Sequence, residues 1–193
     1  MRLIILSIVS SFILAANAHA SLIGDTIEIN WQNPSIGQFF STDSVVVGAG
    51  AEVTCPDGGI NLCDGFGQSA VSFDISASSI SIEFIDVFFS EFGQDSYNGF
   101  IFDDLDWVGM IGEIVDVELV TNVQGLDLAD VGFGSNFVSV DFGSNSGTVG
   151  SFTNGSFVTL NLITRHIVPE PSMLGLMGLS LIGMAALIRR KRS

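Results

Sequence analysis

Short runs of alternating apolar and polar residues recur along most of this chain, and each predicts a β-strand with one buried face. In residues 26–31, Ile27, Ile29 and Trp31 alternate with Thr26, Glu28 and Asn30. Val71, Phe73 and Ile75 share a face in 70–75, and Val158, Leu160 and Leu162 do so in 156–164. In 114–121 the expected inward set is Val115, Val117 and Leu119, against Asp116 and Glu118. In 137–142 it is Val138, Val140 and Phe142, against Ser139 and Asp141. Two β-rich pieces, 44–47 and 51–54, flank Gly48 and Gly50, and Phe100-Ile101-Phe102 follows the turn dipeptide Asn98-Gly99. The strongest run, 79–89, changes phase: Ile80, Ile82 and Phe84 take one parity, and Ile85, Val87 and Phe89 the other. That switch predicts a bulge, or else a strand buried on both faces. Helical periodicity is nearly absent, with one candidate turn at 126–131. Many short strands separated by Gly and Ser predict a mainly β protein, an antiparallel β-sandwich or jelly-roll-like ectodomain over residues 21–164.

The two ends break this pattern with unalternating apolar runs. At the front, Arg2, an apolar stretch from Leu3 to Ala16 and the small-residue site Ala18-His19-Ala20 read as a signal peptide over 1–20, cleaved to leave Ser21 first. At the back, residues 165–172 form a stalk containing Pro169-Glu170-Pro171. An uncharged run over 173–188 follows, then Arg189-Arg190-Lys191-Arg192 and Ser193. The run is shorter than the ~20 residues that cross a bilayer as a helix. Snorkelling arginines or local thinning make up the difference, and the cations fix a cytoplasmic end.

This tail resembles the PEP-CTERM sorting signal of exported bacterial proteins. The resemblance rests on Pro169-Glu170-Pro171, the Gly/Leu-rich span and the basic end. The same tail is also called the ice-binding protein C-terminal domain, a label that implies no ice binding here. The resemblance implies that the precursor is held in the inner membrane by its C-terminal helix, then processed by exosortase, a membrane-embedded transpeptidase-like enzyme. It covers about an eighth of the chain and says little about the ectodomain.

Charge narrows the partners. The net charge is −15, from 21 acids and 6 basic residues. Between the signal peptide and the Pro-Glu-Pro motif the only basic residue is Arg165, while Glu170 is the one acid outside that region. Such a domain cannot track phosphates, so nucleic acid is excluded as a partner, and anionic lipid heads are disfavoured. Cations and neutral polymers such as extracellular polysaccharide are compatible. Solubility outside the cell accounts for the acidity without any ligand.

Cys55 and Cys63 are the only cysteines, and an even count in an exported chain predicts a disulfide across a turn-rich loop. With His19 in the signal peptide and His166 in the stalk, histidine-dependent catalysis has no residue to use. No nucleophile elbow, zinc motif or phosphate loop is present. A glycosidase needs only two carboxylates, but the sequence singles out no pair. The acidic segment Asp103-Asp104-Leu105-Asp106-Trp107 is expected in a loop between strands. Asp103, Asp104 and Asp106 are candidate Ca²⁺ ligands, and Trp107 is either a sugar-stacking ring or core. Asn154-Gly155 predicts a turn opening the last strand. The leading expectation is a non-enzymatic cell-surface or biofilm-matrix protein associated with exopolysaccharide. The alternatives are a calcium-assisted carbohydrate-binding module and a carboxylate-based secreted hydrolase.

Overall fold

The computed structural model describes residues 21–88, 92–93, 95–109, 112–143 and 152–166. The expected signal peptide, the spanning helix at 173–188, the motif Pro169-Glu170-Pro171 and the basic end lie outside these residues. Among them no helix is long and apolar enough to cross a membrane.

The chain is mainly β. Its strands are β1 (Thr26–Gln32), β2 (Phe39–Val46), β3 (Val53–Thr54), β4 (Ala70–Ile75) and β5 (Ser79–Asp86), then β6 (Gly99–Asp103), β7 (Gly112–Thr121), β8 (Val131–Phe133), β9 (Val138–Asp141) and β10 (Ser156–His166). A four-residue helix α1 (Asn61–Asp64) lies between β3 and β4, and a 3₁₀ turn (Leu128–Asp130) precedes β8. The strands pair antiparallel in two five-stranded sheets, ordered β2-β1-β6-β9-β8 and β3-β4-β5-β10-β7.

The apolar faces of both sheets share one core. Ile27, Ile29 and Phe100 from the first sheet and Phe73, Ile82 and Leu160 from the second are fully buried. Aromatic contacts cross between the sheets: Phe73 meets Phe100 edge-on at 5.2 Å, and Phe84 meets Phe142 at 6.1 Å. Each such pair contributes about 0.5–1.5 kcal/mol beyond its buried area.

The phase switch in β5 is a bulge. Val71 pairs with Phe84 and Ala70 with Asp86, so Ile85 is an extra residue turned outward and 46% exposed. A second bulge corrects the reading of β7. Ile163 pairs with Asp116 and Thr164 with Ile114, leaving Val115 unpaired and exposed while Ile114 is buried. The inward set is therefore Ile114 and Val117, with Leu119 partly buried against the core as expected. Asn98-Gly99 is not a turn: Gly99 opens β6, where a Cβ would lie 1.9 Å from the Val140 carbonyl oxygen. The 3₁₀ turn falls inside the expected 126–131 window, and Asn154-Gly155 turns into β10 with Gly155 at φ 81°. β10 continues through Arg165 and His166, two residues beyond the expected end of the domain, so His166 belongs to the last strand. Arg165 pairs there with Glu113 of β7.

Candidate functional sites

Cys55 and Cys63 form the disulfide, with 5.2 Å between Cα atoms. The loop they close carries α1 and docks on strand β2. Ile60, at the helix N-cap, offers no capping side chain. Asp43 of β2 supplies the missing acceptors: one carboxylate oxygen accepts the Asn61 N–H at 3.2 Å and the other the Leu62 N–H at 2.6 Å. A carboxylate at a helix start meets unsatisfied N–H groups, so the cap comes from another element of the fold.

This docking leaves a groove of about 420 Å³ lined by Phe40, Ser41, Thr42, Asn61 and Asp64. Phe40 is the bulged residue of β2, because Trp31 pairs with Ser41 and Gln32 with Phe39. Its ring lies 5.0 Å from Trp31 yet stays 59% exposed. A smaller cavity of about 250 Å³, lined by Pro56, Asp57, Cys63 and Gln68 among others, shares Asp64. An exposed ring beside amide, hydroxyl and carboxylate groups, with no cation among them, suits an uncharged polyhydroxylated ligand.

The acidic segment sits where β6 ends. Asp104 has a φ of 60°, and Leu105 and Trp107 turn into the core. Trp107 is 8% exposed, so it is a core residue, and the sugar-stacking option is withdrawn. Asp103 accepts the Asp104 N–H at 3.0 Å, while the Asp106 N–H donates to Asp25 at 2.7 Å. Asp25, which the sequence did not single out, is thereby drawn to this turn. Its pKa is raised, chiefly by burial and further by the charges of Asp106 and Asp104. Among the described residues no three His, Cys, Asp or Glu side chains form a group that could hold a metal ion, so Asp103, Asp104 and Asp106 are neighbours without forming a ligand set. Ser21, the expected first residue after cleavage, bridges to Val108 just beyond this turn.

A second acidic place lies on the outer face of the first sheet. Asp141, expected to face solvent, is only 6% exposed. One of its carboxylate oxygens accepts the N–H groups of Asn98 and Gly143, at 2.9 and 2.8 Å; the other is buried with no partner among the described residues. Burial raises its pKa, and the charge of Asp130 raises it further. Both aspartates line a cavity of about 170 Å³ with Ile36, Tyr97, Gly132 and Ser139. Tyr97 is buried against Asp141; burial first, then that charge, pushes its phenol well above the ordinary tyrosine range. Asn98 ties this region to the core, since its side chain accepts from the Trp31 indole at 2.9 Å and donates to the Gly93 carbonyl.

A family model for the PEP-CTERM protein-sorting motif matches residues 168–191. No curated protein and no solved structure matches the chain. The motif marks an exported protein, anchored to the membrane before processing by exosortase.

Proposed function

We propose that this protein is a non-enzymatic component of the cell surface or extracellular matrix that associates with neutral exopolysaccharide through a β-sandwich ectodomain. The sorting motif at 168–191 carries the reading, because it marks an exported protein, and exopolysaccharide lies outside the cell. In this reading the run at 173–188 holds the precursor as a membrane helix, Arg189, Arg190, Lys191 and Arg192 keep its end in the cytoplasm, and exosortase removes the span. The charge of the domain favours a neutral partner over a polyanion. The groove at the disulfide loop supports contact with sugar, with the Phe40 ring against a sugar face and Thr42, Asn61 and Asp64 against its hydroxyls. The hydrolase alternative gains little support. Asp57 and Asp64 share a cavity of about 250 Å³ and Asp130 and Asp141 one of about 170 Å³, both below the ~300–1,000 Å³ usual for small-molecule sites.

Two measurements test the reading separately. Replacing Pro169, Glu170 and Pro171 by alanine should leave export intact and trap an uncleaved, membrane-held precursor. Equal processing of variant and wild type in a host with exosortase would overturn the sorting role. A glycan array probed with wild type and Phe40→Ala tests binding; a glycan bound equally by both would remove the groove from the proposal.

A further inference from the structure

Strand register brings two acids together in a way their sequence positions conceal. Gly132 pairs with Ser139 and Val131 with Val140; extended one step past the Val131–Val140 pair, the register sets Asp130, the end of the 3₁₀ turn, across from Asp141, and both line one cavity. Val140 and Phe142 face the core, which puts Asp141 on the outer side of its strand. Like charges directly opposite each other across a sheet destabilise it. Here both residues are more than nine-tenths buried, at 8% and 6% exposure, which strengthens the repulsion. The second carboxylate oxygen of Asp141 is buried and has no hydrogen-bond partner among the described residues. Asp130 accepts the Asp127 N–H through one oxygen, at 3.0 Å. Gly132 and Gly99 stand across from Ser139 and Asp141, where a Cβ would lie 2.7 Å from the Ser139 hydroxyl and 1.9 Å from the Val140 carbonyl oxygen, so neither position has room for a side chain.

We propose that this cavity is a divalent-cation site in which the ion bridges the carboxylates of Asp130 and Asp141. A cation cancels the cross-strand repulsion and gives the orphaned Asp141 oxygen its missing partner. Ca²⁺ lies 2.3–2.6 Å from carboxylate oxygens, closer than a hydrogen-bonded water at about 2.7–2.8 Å, so it reaches an oxygen that water barely touches. The Ser139 hydroxyl lines the same cavity, and waters complete the shell. Two carboxylates and an irregular oxygen set suit calcium better than the strict octahedron of magnesium, at the ~10⁻⁴–10⁻³ M affinity of extracellular modules. The site is separate from the Asp103, Asp104 and Asp106 turn and from the Phe40 groove, and does not depend on glycan binding.

The test uses the purified exported protein and its Asp130→Asn and Asp141→Asn variants. Asparagine keeps an acceptor for the Asn98, Gly143 and Asp127 N–H groups, so both variants retain the structural hydrogen bonds. In chelator, Asp141→Asn should melt at or above the wild-type temperature, because it removes a buried charge. In millimolar calcium the wild type should gain several degrees over sodium chloride of matched ionic strength, and neither variant should. Terbium alone supplies a second readout: its emission, excited through the single tyrosine, Tyr97, should be displaced by calcium, absent in both asparagine variants and reduced in Tyr97→Phe. Equal calcium responses in wild type and variants, no response in any of them, or terbium emission that survives both substitutions would overturn the site.

Discussion

At the scale of single residues, what binds this fold together is often a group whose alternation in sequence gives the wrong impression. Gly99 reads as half of a turn, yet it is the residue that allows β6 to lie against β9. A Cβ there would meet backbone, the Val140 carbonyl at 1.9 Å and the Asp141 Cα at 2.9 Å, and backbone cannot move aside as a flexible side chain can. Gly99→Ala is therefore expected to cost about 2–3 kcal/mol in urea unfolding, the range of core overpacking. A loss within ~0.5 kcal/mol would mean that the two strands separate freely at this point. Asp141 shows a related limit. Its outward parity was legible, since Val138, Val140 and Phe142 alternate around it. Its burial was not, because the wall above it comes from Ile36 and the 3₁₀ turn, which are distant in sequence. Asp25 was equally hidden, as only folding carries it to Asp106.

At the scale of elements, strands that bury one regular face were readable, and those at the sheet margins were not. β1, β4, β5 and β10 alternate strictly over their core-facing positions. β2 carries Ser41 and Asp43 opposite Trp31 and Ile29, so only Val45, opposite Ile27, gives its inward positions an apolar signal. β8 has three residues and includes Gly132. These margins also explain the disulfide loop. An unpaired edge invites pairing with another chain, and edges are normally shortened, charged, bulged or covered. β3 and β8 are short, and β7 carries Glu113, Asp116, Glu118 and the Val115 bulge. β2 is eight residues long with Phe39 and Val46 exposed; its cover is α1, held by Asp43 and by the Asn61 amide donating to the Thr42 carbonyl at 3.2 Å. Opening the Cys55–Cys63 bridge should cost about 2–3 kcal/mol in the chain-entropy model for so short a loop. It should also loosen that cover. Urea unfolding and size-exclusion chromatography of a Cys55→Ser, Cys63→Ser variant measure both effects. Unchanged stability would refute the first expectation, and a strictly monomeric variant at high concentration would refute the second.

For the whole molecule, the governing quantity is negative charge held close by folding, and its clearest consequence is an inverted response to acid. Carboxylates that are ion-paired in the folded state are depressed, and such proteins lose stability as pH falls. Here the described domain offers one guanidinium, already engaged with Glu113, and the two carboxyls that burial shifts, Asp25 and Asp141, are both raised above the ordinary 3.8. A raised carboxyl keeps its proton in the folded state over a window where the unfolded chain has released it. Folding then takes up protons, so stability falls as pH climbs from about 3.8 through the raised value, and the penalty is complete above it. Mutual repulsion among the acids acts in the same direction, but salt screens it, with a Debye length of only ~3 Å at 1 M. In chelator, the urea midpoint should therefore be higher near pH 4 than at pH 8. Added sodium chloride should reduce that difference without abolishing it. Asp141→Asn should remove part of the salt-resistant remainder, raising the midpoint at pH 8 more than at pH 4, because it deletes a charge that the native state buries and the unfolded chain does not. A midpoint that rises steadily from pH 4 to pH 8, or an Asp141→Asn curve parallel to wild type, would show that the buried carboxylate is already compensated in the folded protein and does not set its response to acid.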